Sequence, residues 1–284
     1  MKEIKIQIGD QVIAGLDNEE KSEHILLALH GWLDNAASFT PIMPHLNGYR
    51  VVAIDFPGHG YSSHRPEGAH YHFVDWIETI VHVIQHFGWS SVTVVGHSMG
   101  GMVATVLAAS FPELIERLIL IDSIGLVTTV PEEAPKQLRD AILSRKKMKA
   151  KSRNVYSSIH QAVEARSVVG NFHSDIARYL VERGAISTSE GVKFTADIRL
   201  NIPSALRFTP SQAEAFISQI TCPVLMMLAE DRIGELNQRV EKAIGMYQRH
   251  YQNLTMLSTK GGHHCHMEFP DETAQKMKAW LNND

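Results

Sequence analysis

A serine set between glycines is the first residue of this chain whose surroundings could do chemistry. Gly96-His97-Ser98-Met99-Gly100 has the spacing Gly-x-Ser-x-Gly, that of a sharp strand-to-helix turn that lifts a hydroxyl clear of a sheet. The spacing answers a steric demand, because Gly96 and Gly100 carry no Cβ where the backbone must double back. A serine hydroxyl is a poor nucleophile at neutral pH. It needs a base within hydrogen-bond reach and a carboxylate to orient that base. Histidines crowd one late stretch, Gly262-His263-His264-Cys265-His266-Met267-Glu268-Phe269-Pro270. Two aspartates, Asp122 and Asp231, follow apolar runs that read as strands. Such a set supports nucleophilic attack on an acyl carbonyl through a covalent acyl-enzyme.

The local pattern around Ser98 supplies the turn it needs. Val92-Thr93-Val94-Val95 is β-branched throughout, the profile of a strand buried on both faces. Met99 to Ser110 reads as a helix, ended by Phe111-Pro112. Further strands are expected at Ile4–Ile8, Gln11–Leu16, His24–Leu29, Arg50–Ile54, Leu118–Ile121, Cys222–Ala229 and Asn253–Leu257, the first two as a hairpin. A helical patch is expected around Pro41–Leu46, and helices at Phe73–Phe87, Asn237–Tyr247 and Asp271–Asn282. Strands alternating with helices predict an α/β fold with a mostly parallel eight-stranded sheet flanked by helices. From about Gly125 to Ser218 the strand signal stops. Helices are expected instead at Pro131–Lys149, Ser157–Val168, Ser174–Arg183 and Ser211–Ser218. The domain expectation is therefore a core of residues 1–124 and 219–284, with a helical cap, residues 125–218, inserted in it.

Composition narrows the class. The 284 residues are 44% hydrophobic and 20% charged, as in a soluble globular protein. Lys plus Arg is 27 against 31 Asp plus Glu, a net charge of −4, which gives no electrostatic case for nucleic acid or an anionic membrane. The basic run Arg145–Lys151 reads as a solvated helix face. Two cysteines, Cys222 and Cys265, imply no disulfide framework. With no signal-peptide core and no apolar run of about 20 residues, a cytoplasmic protein is expected. The expected partner is a small-molecule substrate, with no nucleic acid, no membrane and no cofactor, on a monomer or homodimer. Adjacent residues in the tight 263–266 loop cannot all aim at one ion, and no cysteine pair completes a tetrahedron, so no metal is expected.

Across its whole length the chain resembles the α/β-hydrolase superfamily, and within it the serine hydrolase-like proteins. The resemblance is carried by Gly31-Trp32-Leu33-Asp34-Asn35-Ala36-Ala37-Ser38-Phe39, by Gly96-His97-Ser98-Met99-Gly100-Gly101 and by Gly262-His263-His264-Cys265-His266-Met267. Val181-Glu182-Arg183-Gly184 and Ile202-Pro203-Ser204 add to it. It implies an α/β-hydrolase fold and a serine nucleophile, and leaves the substrate undefined.

The roles follow from that resemblance. The 262–270 stretch resembles the family ending Gly-His-x-x-His-x-Glu-x-Pro, which makes His263 the base and His266 and Glu268 its supports. A register slipped by one would make it His264. The oxyanion hole takes the backbone N–H of Met99, next to the nucleophile, and that of Trp32 in the His30-Gly31-Trp32 loop. The acid has two candidates. The usual place, a Gly-x-x-Asp after the seventh strand, reads Ala229-Glu230-Asp231-Arg232 here, with arginine fourth and the aspartate one place early. The other place, the end of the sixth strand, holds Asp122. We prefer Asp122, with Asp231 as the alternative. The expectation is a cofactor-free serine hydrolase cleaving a small ester or related acyl compound. The alternatives are a receptor-like ligand-binding protein with little turnover, or acyl transfer, perhydrolysis or carbon–carbon hydrolysis on the same residues. Dehalogenase or epoxide-hydrolase chemistry would want a carboxylate at position 98.

Overall fold

The computed structural model describes residues 1–148, 154–232 and 234–283, with the backbone alone at 234–236. Among the described residues ten strands follow in chain order: β1 (Lys2–Ile8), β2 (Gln11–Asp17), β3 (Ile25–Leu29), β4 (Arg50–Ile54), β5 (Val92–His97), β6 (Ile115–Ile121), β7 (Ala185–Thr188), β8 (Gly191–Phe194), β9 (Val224–Ala229) and β10 (Leu254–Thr259). Eight of them form one sheet in the order β1-β2-β4-β3-β5-β6-β9-β10. β1 and β2 run antiparallel as a hairpin edge, and from β4 to β10 every pairing is parallel. The reason lies in the residues. Inner strands alternate apolar side chains to both faces, so helices must cover both. Val92, Val94, Leu118 and Leu120 enter one core layer, while Val95, Ile119 and Ile121 enter the other.

The helices are α1 (Phe73–Phe87), α2 (Met99–Ser110), α3 (Ala134–Met148), α4 (Ile159–Gly170), α5 (Ser174–Gly184), α6 (Pro210–Ser218), α7 (Gly234–Tyr247), the single turn α8 (Cys265–Glu268) and α9 (Pro270–Leu281). α1 spans the expected residues. It starts in a capping box of His72 and Asp75 and stops at Gly88, whose φ is 67°. The patch expected around Pro41–Leu46 is one short 3₁₀ turn, Met43–His45, where Pro44 has no N–H to extend a longer ladder; a second turn, Ala36–Phe39, precedes it.

Between β6 and β9 lie α3 to α6 and one feature the sequence did not suggest, an antiparallel hairpin of β7 and β8. Its strands have four residues each, and β7 is mostly exposed, too short for an apolar period to show. α4, α5 and the hairpin share a small core of their own, including Val163, Phe172, Val181 and Val192, which Met267 also enters. α6 behaves differently: its Ala213 and Ile217 join the layer beneath the main sheet. The end of the basic run, residues 149–151, lies outside the described residues.

Candidate active site

Ser98 sits between β5 and α2 with φ 50° and ψ −116°, a conformation that costs a non-glycine residue energy. The packing around it enforces the turn. A Cβ on Gly96 would lie 2.5 Å from the Gly101 backbone, and one on Gly100 would run into the Leu29 carbonyl. The Ser98 N–H donates to the Ile121 carbonyl at 3.1 Å, tying the turn to the end of β6.

Asp122 is the next residue after β6, and it too has a positive φ, 44°. Its N–H donates to the Met227 carbonyl on β9 at 2.8 Å, which turns the buried carboxylate back across the sheet end. His263 arrives on the loop after β10. The Glu268 carboxylate accepts from the Gly262 N–H at 2.8 Å, and His97 Nε2 donates to the His263 carbonyl at 2.8 Å. The three side chains then stand in series. His263 Nδ1 lies 2.6 Å from Asp122 Oδ2, and His263 Nε2 lies 2.9 Å from Ser98 Oγ. With Nδ1–H donating to the carboxylate, Nε2 is free to accept the serine proton.

The alternatives raised by the sequence sit elsewhere. His264 turns away, and its Nε2 is 3.0 Å from Asp34 Oδ2. Asp231 is exposed at the cavity wall. Arg232, in the fourth position of that stretch, is buried and donates from Nη1 to Asp122 Oδ1 at 3.0 Å. The Ala229 N–H donates to the same oxygen at 3.1 Å.

His30 fixes the Gly31-Trp32 loop from below. Its Nδ1–H donates to the Gly31 carbonyl at 2.7 Å and its Nε2 accepts the Phe56 N–H at 3.0 Å. Glycine suits position 31, since a Cβ would press on His97 Nδ1 at 3.0 Å and on Asp34 Oδ2 at 3.1 Å. Among the described residues, neither the Trp32 nor the Met99 N–H is taken by a protein acceptor. Such spare donors beside a serine hydroxyl would suit a developing oxyanion.

Behind this row lies a polar cluster the sequence did not reveal. The buried Asp34 carboxylate pairs with Arg166 of α4 and with His264, and His97 Nδ1 is 3.8 Å from it. Burial alone would raise this carboxyl; His264, Arg166 and His97 reverse that and hold it well below the usual range. Burial first, then the rings of His266, His263 and His264, push His97 far below the ordinary histidine value. Asp34, His97 and His264 bring donor atoms within 4.8 Å of one another, the spacing of a metal ligand set. The Arg166 guanidinium already neutralises that carboxylate, while Nδ1 of His97 and Nδ1 of His264 have no hydrogen-bond partner among the described residues.

Above Ser98 opens a cavity of about 740 Å³, walled by Trp32, Arg166, Leu180, Phe194 and Ile198 among others. Much of its roof comes from the segment between β6 and β9. Buried bonds hold that segment down. Arg183 of α5 makes two bonds to Asp55, at 3.2 and 2.9 Å, and a third to Glu3. Asn35 Nδ2 donates to the Leu180 carbonyl at 2.9 Å, and Trp32 Nε1 to the Leu200 carbonyl at 3.2 Å. Among the described residues, no helix is long and apolar enough to cross a membrane.

Comparison with known proteins gives three results. A family model described as the alpha/beta hydrolase fold matches residues 24–175. A serine hydrolase-like protein of Danio rerio is 31% identical over 90% of this chain and 81% of its own length. Among solved structures, a hypothetical protein of Pseudomonas aeruginosa PAO1 superposes with TM-score 0.90 at 34% identity, covering 99% of both chains. The thioesterase domain from the curacin biosynthetic pathway reaches TM-score 0.85 at 23% identity, over 98% of this chain and 99% of that one, a likeness of fold.

Proposed function

The chain belongs to the alpha/beta hydrolase fold family, with serine hydrolase-like proteins among its relatives, and from that premise we propose that it is a cofactor-free serine hydrolase acting on a small ester or related acyl compound. One observation carries the proposal: the unbroken row of hydrogen bonds from Ser98 Oγ through His263 to Asp122, with Ser98 raised on a strained turn under a roofed cavity.

In this reading His263 Nε2 takes the hydroxyl proton as Ser98 Oγ attacks the substrate carbonyl carbon. Asp122 fixes the tautomer and stabilises the imidazolium. The Met99 and Trp32 amides receive the oxyanion. Collapse of the tetrahedral adduct expels the alcohol, which takes the proton from His263 and leaves an acyl group on Ser98. A water activated by the same imidazole then attacks that ester, releasing the acid and restoring the hydroxyl. We assign residues 125–218 the part of a cap. α4, α5 and the β7–β8 hairpin form its roof, and α6 anchors it against the core.

The test uses a short p-nitrophenyl ester and a fluorophosphonate probe. Ser98→Ala is expected to lower kcat by roughly a thousandfold or more and to abolish labelling that is stoichiometric in the wild type. Asp122→Asn is expected to cost about a hundredfold or more in kcat, with Asp231→Asn close to wild type. Turnover unaffected by Ser98→Ala would sink the proposal, and the reverse ranking of the two aspartates would move the acid to Asp231.

A further inference from the structure

Arg232 is a buried cation for which the reaction above has no use. Its side chain is only 7% exposed and its Nε has no partner among the described residues. Nη1 reaches both the Ala229 carbonyl and Asp122 Oδ1, while Nη2 faces the exposed Glu241 at 3.6 Å. Two donors, Arg232 Nη1 and the Ala229 N–H, thus converge on Oδ1, and Oδ2 is left for His263 Nδ1. A carboxylate gripped this way has no free rotation about its Cβ–Cγ bond. The residue holding it stands in the segment after β9 where the sequence pattern led us to look for the acid itself.

We propose that Arg232 is a positioning residue for the base: it clamps one oxygen of Asp122 so that the other faces His263. The proposal rests on the hydrolase reading of Ser98, His263 and Asp122. The clamp also has an electrostatic consequence, because the guanidinium shares the charge of the carboxylate that faces His263. The other groups around His263 stay as they are. They are Ser98 at Nε2, the rings of His97 and His264 at 4.8 and 5.4 Å, and Asp34 behind both. Glu268 holds the loop backbone, and Arg166 and Asp231 stand at the cavity wall. Removing the guanidinium leaves the whole carboxylate charge to the imidazolium. The acid limb of the rate profile is then expected to move up.

The experiment measures kcat, KM and the pH profile of p-nitrophenyl ester hydrolysis for the full-length protein. Variants are Arg232→Gln, Arg232→Lys, Asp122→Asn and the Asp122→Asn/Arg232→Gln double variant, with melting curves as the check on folding. Arg232→Gln is expected to lower kcat about tenfold or more with KM within about twofold, and to move the acid limb upward by about half a unit or more. The double variant is expected to be no slower than Asp122→Asn, because without the carboxylate charge the clamp has nothing to hold. Arg232→Lys, which keeps a cation there, is expected to leave the limb at its wild-type position. It carries the decision alone if the glutamine variant does not fold. A folded Arg232→Gln with wild-type kcat and limb overturns the proposal, as do additive losses in the double variant or an upward limb shift in Arg232→Lys. Failure of the underlying reading looks different: Ser98→Ala would then keep wild-type turnover.

Discussion

Four of the five histidines buried among the described residues, His30, His59, His97 and His266, surround the ends of β3 and β5. Burial is the first cause in each of them, pushing His59 and His266 down to about 3 and lowering His30 and His97. An unfolded chain would protonate these rings at about 6.5. The sign follows from linkage. The folded state binds protons less readily, so the stability these rings contribute is complete above about pH 6.5 and is lost as the pH falls toward about 3. Each deeply shifted ring costs on the order of 1.4 kcal/mol per pH unit within that window. Urea midpoints are expected to fall steeply between pH 7 and 5; a flat profile there would mean that these rings already carry protons in the native state.

Single residues differ in how far the sequence discloses them. Ser98 was legible because its neighbours must be glycine, a steric requirement written in residue type. His263 was legible only through a resemblance, since four residues in a row offered three histidines. Asp122 was ambiguous because a strand end carries no mark of which neighbour its carboxylate meets. Arg232 left a trace, an arginine where the pattern has an acid. Arg166 left none: it reaches Asp34 from 132 positions away.

At the scale of elements, the inner strands and α1 declared themselves through apolar period and caps. The β7–β8 hairpin did not, because its four-residue strands are too short to show an apolar period, even though Ala185 and Val192 are buried in the small core it shares with α4 and α5. α5 is the element on which the roof depends. It carries Arg183 into a buried pair with Asp55, whose two oxygens also accept the Ala36 and Tyr61 N–H groups, at 2.7 and 2.9 Å. Truncation of Arg183 leaves a buried carboxylate without its cation. Arg183→Ala is therefore expected to cost roughly 3–5 kcal/mol in urea unfolding and to open the 134–201 segment to limited proteolysis. A loss below about 1 kcal/mol would show that the roof is held by its apolar core instead.

For the molecule as a whole, the fold class was readable because strands separated by helices leave few ways to cover a sheet on both faces. The cavity was not, since its walls come from loops at the sheet end and from elements between β6 and β9 that are far apart in the chain. Ala165 on α4 is one of those walls. Ala165→Phe adds a ring to the chamber without touching the row at its floor. It is expected to raise KM for octanoyl relative to acetyl p-nitrophenyl esters by about tenfold, with acetyl kcat within about twofold. Equal effects on both esters would place the acyl chain elsewhere.

The exchange of partners across the ends of β6 and β9 also bears on how such chains are grouped. A template that demands an acid on the later strand would file this protein among those that have lost a working row. One that pairs a carboxylate after the earlier strand with a cation after the later one would gather it with others built alike. Membership would then be decided by a swap of two charges rather than by a single invariant letter.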